Sequence, residues 1–164
     1  MISLIAAMSN NCVIGANNTI PWNSKKDLSI FRKYTIGSSV IMGKNTWLSL
    51  NQKPLKDRNN IVVSKTLKLE YSNSLSTANC LECAITQFTI KSNYRDAWII
   101  GGASIYKEAL EKKIPERLII SKMNFDVEGD TYFPSIPKCY SVSDIRKIND
   151  DFSIYTYKRI EQLN

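Results

Sequence analysis

Trp98-Ile99-Ile100-Gly101-Gly102-Ala103-Ser104-Ile105-Tyr106 passes from an unbroken apolar run through two glycines into a stretch of helical spacing. An apolar run bounded in this way reads as a strand buried on both faces, and such strands belong to parallel sheets. The two glycines leave bare backbone N–H groups beside a helix N-terminus, so the junction favours an anion. The same grammar recurs in Val40-Ile41-Met42-Gly43-Lys44-Asn45-Thr46-Trp47, with a lysine and a threonine at the helix start. Two such turns on neighbouring strand ends suit a pyrophosphate-bridged dinucleotide. Neither matches GxGxxG or a Walker loop, and strand–glycine–helix turns also serve purely structural ends.

Further apolar runs at Ile2–Met8 and at 39–42, 60–63, 97–100 and 118–123 read as buried strands, several of them separated by helical patterns. That alternation predicts an α/β fold, a mainly parallel sheet with flanking helices. Residues 140–145 and 153–159 are β-rich without an intervening helix, which predicts an antiparallel C-terminal edge. Residues 77–88 read as a helix, and residues 9–23, rich in asparagine, as a long loop of the kind that usually carries function. No repeat, low-complexity segment or linker divides the chain, so residues 1–164 are expected to form one domain.

A chain of 164 residues with 43% hydrophobic content buries a full core without staples. No run approaches the roughly 18 apolar residues of a membrane span, and Ile2–Met8 lacks the length and positive flank of a signal peptide, so a cytoplasmic protein is expected. Lys+Arg outnumber Asp+Glu by 22 to 15, a net +7 that permits attraction to phosphates. The basic residues are scattered and no aromatic ladder accompanies them, which argues against a nucleic-acid-binding module. Histidine is absent, so neither a Ser-His-Asp relay nor an HExxH metal site can be assembled, and acid–base chemistry falls to Asp, Glu, Lys, Tyr or water. Cys80 and Cys83 have CxxC spacing, while Cys12 and Cys139 stand alone. Without histidine or a second pair, buried free thiols are expected rather than zinc, and no metal is called for.

Asp27 is the only carboxylate among the first 56 residues and follows Pro21-Trp22 at the start of a helical pattern. With Asn23 or Ser24 as N-cap, Leu28, Phe31 and Tyr34 mark the buried stripe, and Asp27 lies on the same side at i, i+4 from Phe31. An acid facing apolar side chains calls for a fixed donor or a ligand. The position equally suits a first-turn acid that complements the helix dipole.

Taken in order, Ile2-Ser-Leu-Ile-Ala-Ala7, Val13-Ile-Gly15, Pro21-Trp22, Asp27-Leu28 with Phe31, Val40-Ile-Met-Gly43, Thr46-Trp47, Arg58, Ile100-Gly101-Gly102, Tyr106, and Glu128-Gly-Asp-Thr131 with Phe133-Pro134 resemble the dihydrofolate reductase family along nearly the full chain. The resemblance implies a single-domain eight-stranded sheet and a reaction in which NADPH delivers hydride to 7,8-dihydrofolate, giving tetrahydrofolate. It also implies a monomer that takes antifolate inhibitors and has no nucleic-acid or membrane partner. The alternative on the same fold is the pyrimidine reductase of riboflavin synthesis, against which Pro21-Trp22, Asp27, Phe31 and Arg58 favour folate.

Carried over residue by residue, the resemblance puts Asp27 on the pterin N3 and 2-amino group, a pair of donors a carboxylate receives bidentately. Trp22 would help place a water there, and Ser121, where the family usually has threonine, would bond both the acid and the pterin. Ile5, Ala6, Leu28, Phe31 and Leu50 would wall the ring. Arg58 would clamp the α-carboxylate of the glutamate tail, helped by Arg32 and Lys53. On the cofactor side, Ala7, Val13, Ile14, Gly15, Asn18, Thr19 and Ile20 would meet the nicotinamide half. Gly43, Lys44, Asn45 and Thr46 would hold phosphates together with Ile100, Gly101, Gly102, Ala103, Ser104, Ile105 and Tyr106, the Gly101–Gly102 bond being cis. Lys44 stands where the family often has arginine, Asn45 replaces a basic residue, Ala103 a glycine and Ser104 an arginine. Fewer phosphate donors follow, and Ser64 with Lys65 would compensate near the adenosine 2′-phosphate.

Overall fold

The computed structural model describes residues 1–91 and 93–160. Its elements run β1 (Ile2–Met8), β2 (Val13–Gly15), α1 (Lys25–Thr35), β3 (Ser39–Gly43), α2 (Lys44–Ser49), β4 (Asn59–Val63), β5 (Leu75–Ala78), α3 (Leu81–Lys91), β6 (Ala97–Ile99), α4 (Ala103–Glu111), β7 (Arg117–Met123), β8 (Thr131–Tyr132), β9 (Tyr140–Lys147) and β10 (Phe152–Arg159). Eight strands form one sheet in the order β5-β4-β3-β6-β1-β7-β10-β9. From β5 to β7 every pairing is parallel, and β7–β10 and β10–β9 are antiparallel, as the β-rich C-terminal segments led us to expect. The fold is thus a single-domain, mainly parallel α/β sheet with an antiparallel C-terminal edge. Among the described residues, no helix is long and apolar enough to cross a membrane.

Strand alternation sorts the core into two layers. Leu4, Ala6 and Met8 of β1 pack with Leu81, Ala84 and Phe88 of α3 and with Ile105, Ala109 and Leu110 of α4. Ile5 faces the other way, with Ile30 of α1 and Trp47 of α2. Central β3 is covered on both faces, and Val40, Ile41 and Met42 are fully buried, which explains an apolar run without alternation.

The structure corrects several expectations. Thr77 and Ala78, expected to begin a helix, end the strand β5 (Leu75–Ala78) instead. This strand pairs in parallel with β4 from Asn60↔Leu75 to Val63↔Ala78, and α3 begins only at Leu81. A short polar edge strand has no periodicity of its own, and its partner decides it. The stretch 9–23 is not all loop. It holds β2, antiparallel to β8, and then a tight Ala16–Thr19 hairpin in which Asn17 and Asn18 take positive φ of 49° and 62°. Asparagine tolerates that conformation, which accounts for the composition. Helix α1 is capped by Ser24, whose hydroxyl accepts from the Asp27 N–H at 3.2 Å. Its inner stripe runs through Ile30 and Phe31 to Tyr34 and Thr35, and Leu28 falls off it, 55% exposed. Asp27 heads that stripe, three and four residues before Ile30 and Phe31. The cysteines are not buried either: Cys12 and Cys83 are exposed, Cys80 and Cys139 partly so, and all four are free.

Gly129 lies against the β2–β8 ribbon so closely that a Cβ there would come within 2.3 Å of Val13 Cγ1 and 2.6 Å of the Gly15 carbonyl oxygen. The second contact is backbone and cannot swing aside. Gly129→Ala should therefore cost about 1–3 kcal/mol, the usual range for overpacking. Thermal unfolding reads this as a lower Tm, and an unchanged Tm would mean the ribbon is free to shift.

Candidate functional site

Because the parallel strands point the same way, the carboxyl ends of β1, β3, β4 and β6 open onto one side of the sheet. A cleft of about 560 Å³ lies there, lined by Ala7, Gly43, Val63 and Ile100 from the strand ends. That volume falls within the roughly 300–1,000 Å³ of cofactor sites, and the position is where open α/β sheets bind ligands. Ile14, Gly15, Asn18, Thr19 and Ile20 cover it from the β2 hairpin. Lys44, Asn45 and Thr46 reach it from α2, and the stretch from Gly101 to Tyr106 from the start of α4.

Both glycine junctions of the sequence thus meet in one place. The Gly43 N–H donates to the Gly101 carbonyl at 2.7 Å, and the Gly101–Gly102 peptide is cis. A Cβ on Gly43 would come within 2.9 Å of Ile105 Cγ1, so this crossing requires the bare backbone. Helix α4 has no side-chain cap and no acidic residue in its first turn, which leaves its N–H groups facing the cleft's end of the helix. Among the described residues no Asp or Glu lines the cleft, and Lys44 is its one cation. The electrostatics favour an anionic ligand.

Asp27 sits beside this cleft, on the face of the sheet that carries α1. Burial pushes its carboxyl above the ordinary range, opposed in part by a hydrogen bond with the Ser121 side chain. Ser121 follows Ile119 by two positions in β7, which puts both on the α1 face with Ile5. Tyr106 joins the two regions. Its hydroxyl donates to the Ile5 carbonyl at 2.8 Å, and its pKa is raised by burial and then by the charge on Asp27. Phe31, Leu50 and Trp22 pack along the edge of the same core layer, and Trp22 meets Phe125 edge-on with ring centroids 5.9 Å apart.

Arg58 is 5% exposed, far from a solvated loop cation. Its Nε donates to the Lys56 carbonyl and its Nη1 to Thr35 Oγ1, each at 3.0 Å, and the guanidinium lies 5.9 Å from the Phe31 ring centre. Arg32 is exposed and pairs with Asp57 at 3.3 Å, while Lys53 is exposed.

Some candidates fall elsewhere. Val13 is fully buried and does not line the cleft. Ala6 is on the α3–α4 face, opposite Ile5, because neighbouring strand residues alternate. Ser64 and Lys65 are outside the lining, and the Ser64 hydroxyl accepts from the Thr66 and Leu67 N–H groups. Lys44 Nζ instead reaches Thr66 Oγ1 at 3.4 Å, so the charge at this corner comes from α2. Ser49, Val63 and Thr131 line the cleft although none was expected as a site residue. Ser49 stands three residues after Thr46 on α2 and Val63 ends a strand, and both spacings were visible in the sequence.

Fold and cleft together define an α/β protein whose strand ends open onto a cleft that favours an anionic ligand, with a half-buried acid beside it. The chain belongs to the dihydrofolate reductase family, whose model matches residues 1–162. Proteins named dihydrofolate reductase are similar to it. The one from Neisseria meningitidis serogroup A is 40% identical over 140 residues, 85% of this chain and 82% of that protein. The one from Buchnera aphidicola subsp. Acyrthosiphon pisum is 42% identical over 135 residues, 81% and 78% of the two chains. The pig protein, Sus scrofa, is 37% identical over 148 residues, 82% and 80%. Membership makes this chain an oxidoreductase with a role for a nicotinamide cofactor.

Proposed function

We propose that this chain transfers hydride from NADPH to 7,8-dihydrofolate, giving 5,6,7,8-tetrahydrofolate. Family membership supports the reaction, and the observation that carries the residue assignment is Asp27, an acid raised by burial and bonded to Ser121 beside an acid-free cleft. When bound, NADPH supplies the hydride. The cleft suits it: the Gly43 crossing admits a close approach, the uncapped start of α4 favours phosphate, and Asn18, Thr19 and Ile20 line it together with Ala7.

On the substrate side, Asp27 would receive the pterin N3–H and 2-amino group, and its negative charge would raise the proton affinity of the neighbouring ring nitrogen. Water would carry the proton, positioned with the help of Trp22. The Ser121 hydroxyl would hold the carboxylate in place while bonding the ring. Ile5, Leu28, Phe31 and Leu50 would wall that ring, which also accounts for an exposed leucine on α1. Arg58, fixed by Thr35 and Lys56, would present its fork to the tail carboxylate. An antifolate with a 2,4-diaminopyrimidine ring would use the same carboxylate. We read the protein as a monomer working in the cytoplasm, and light scattering tests the first of these.

Following NADPH oxidation with dihydrofolate, with NADH and the riboflavin-pathway pyrimidine as controls, tests the reaction. Turnover with the pyrimidine and none with dihydrofolate would overturn it.

Cofactor choice should rest on Lys44, which lines the cleft, more than on Lys65, which does not. Lys44→Gln is expected to weaken NADPH several-fold and NADH little, since an exposed charge pair contributes about 0.2–1 kcal/mol. Adding Lys65→Gln should change little more. Equal losses for the two cofactors in a Kd titration would remove Lys44 from the 2′-phosphate.

A further inference from the structure

Cys80 and Cys83 lie outside the cleft and take no part in the proposed reaction. Cys80 caps α3: the Ala84 N–H donates to its carbonyl at 3.1 Å, and the Cys83 N–H donates to its sulfur at 3.1 Å. Both thiols are free, Cys83 exposed and Cys80 partly so. The turn that carries them is anchored, because Leu81 and Ala84 are fully buried in the core and Glu82 is ion-paired to Lys112, which also holds Glu108 of α4. A fixed helical turn therefore keeps two sulfurs adjacent at a solvent-facing position, with one of them open to reagents.

We propose that Cys80 and Cys83 form a reversible dithiol–disulfide pair, a covalent modification site for small-molecule disulfides such as glutathione disulfide. The contact with Cys80 holds the Cys83 thiol above its ordinary pKa, so only its minor thiolate fraction reacts, the proton having gone to solvent. That thiolate attacks one sulfur of the oxidant, and the step quickens as pH rises. The oxidant's S–S bond breaks, one half leaves as thiolate, and the other remains on Cys83 as a mixed disulfide. Cys80, deprotonated in turn, attacks the Cys83 sulfur, forming the Cys80–Cys83 bond and expelling the second half as thiolate. The protein loses two electrons and two protons, and the oxidant is reduced to two thiols. A dithiol reductant reverses both steps. Cys12, exposed but with no second cysteine in its turn, should stop at the mixed disulfide.

The test equilibrates the full chain with excess glutathione disulfide, quenches it in acid, alkylates free thiols and maps the peptides by mass. The peptide carrying residues 80 and 83 should lack two hydrogens, resist alkylation, and regain both thiols under dithiothreitol. Cys80→Ser should accumulate a glutathione adduct on Cys83 that the parent chain does not retain. Neither position belongs to the proposed catalytic machinery, so the reduced variant should keep the parent's turnover. The proposal falls if both thiols of the parent remain alkylatable, if a glutathione adduct persists on its Cys83, or if Cys80→Ser takes no adduct there.

Discussion

Asp27→Asn lowers turnover at neutral pH by about 10²–10⁴, the scale of lost acid–base assistance, and recovers part of it in acid, where substrate arrives already protonated. The amide keeps the shape and the first-turn position but carries no charge to draw a proton toward the ring. The same substitution should stabilise the empty protein. Burial raises the folded-state pKa of Asp27 above its unfolded value, so the folded protein holds this proton more tightly. Its contribution to stability is complete below the ordinary carboxylate range and is lost as pH rises through the raised value. At neutral pH the ionised group is therefore a cost that asparagine removes. Tm should be higher in the variant at neutral pH, with the gain vanishing in strong acid. A pH–rate profile and thermal unfolding across pH read the two effects separately. Parent-like turnover at every pH would leave Asp27 as a helix-turn acid and nothing more.

Arg58→Leu raises the Michaelis constant for dihydrofolate by about 10–100-fold, corresponding to the roughly 1.5–3 kcal/mol of a hydrogen bond to a charged group. The cost does not stop at the substrate. Arg58 donates to Thr35 Oγ1, and Thr35 is fully buried, so leucine removes the donor to a hydroxyl that keeps only its own bond to the Phe31 carbonyl at 2.9 Å. A lower Tm is expected alongside the kinetic change. Arg58→Lys separates the two: it keeps the charge but not the fork, and should lose tail recognition more than stability. An inhibitor without a glutamate tail should bind both variants nearly as it binds the parent. Equal weakening of that inhibitor and of dihydrofolate would mean that Arg58 acts by holding α1 to the β4 corner.

The division between what could and could not be read early follows physical lines. Strands β1, β3, β4, β6 and β7 were legible because they are buried on both faces, and burial writes itself into composition without needing a partner to interpret it. The glycine junctions were legible for a related reason: where a Cβ would come within 2.9 Å of a packed side chain, as at Gly43 against Ile105, the position favours glycine. Asp27 stood out as a lone acid on an apolar stripe, and Ile30, Phe31, Tyr34 and Thr35 bear out its side of the helix even though Leu28 does not.

What the linear sequence by itself determined was thus every feature set by local burial or local backbone demand: the α/β class, the central parallel strands, the antiparallel edge, and the two anion-favouring turns. Tertiary structure alone decided the features whose meaning lies in a partner. Strand β5 exists because β4 pairs with it, and β2 because β8 does. Ala6 and Ile5 part company because the sheet has two covered faces. Arg58 is buried because Thr35, 23 residues away, accepts its hydrogen bond, and Cys80 is a helix cap because α3 starts later than its composition suggests. Pairings between distant segments carry no periodic signal in either segment, and so they become visible only when the chain has closed on itself.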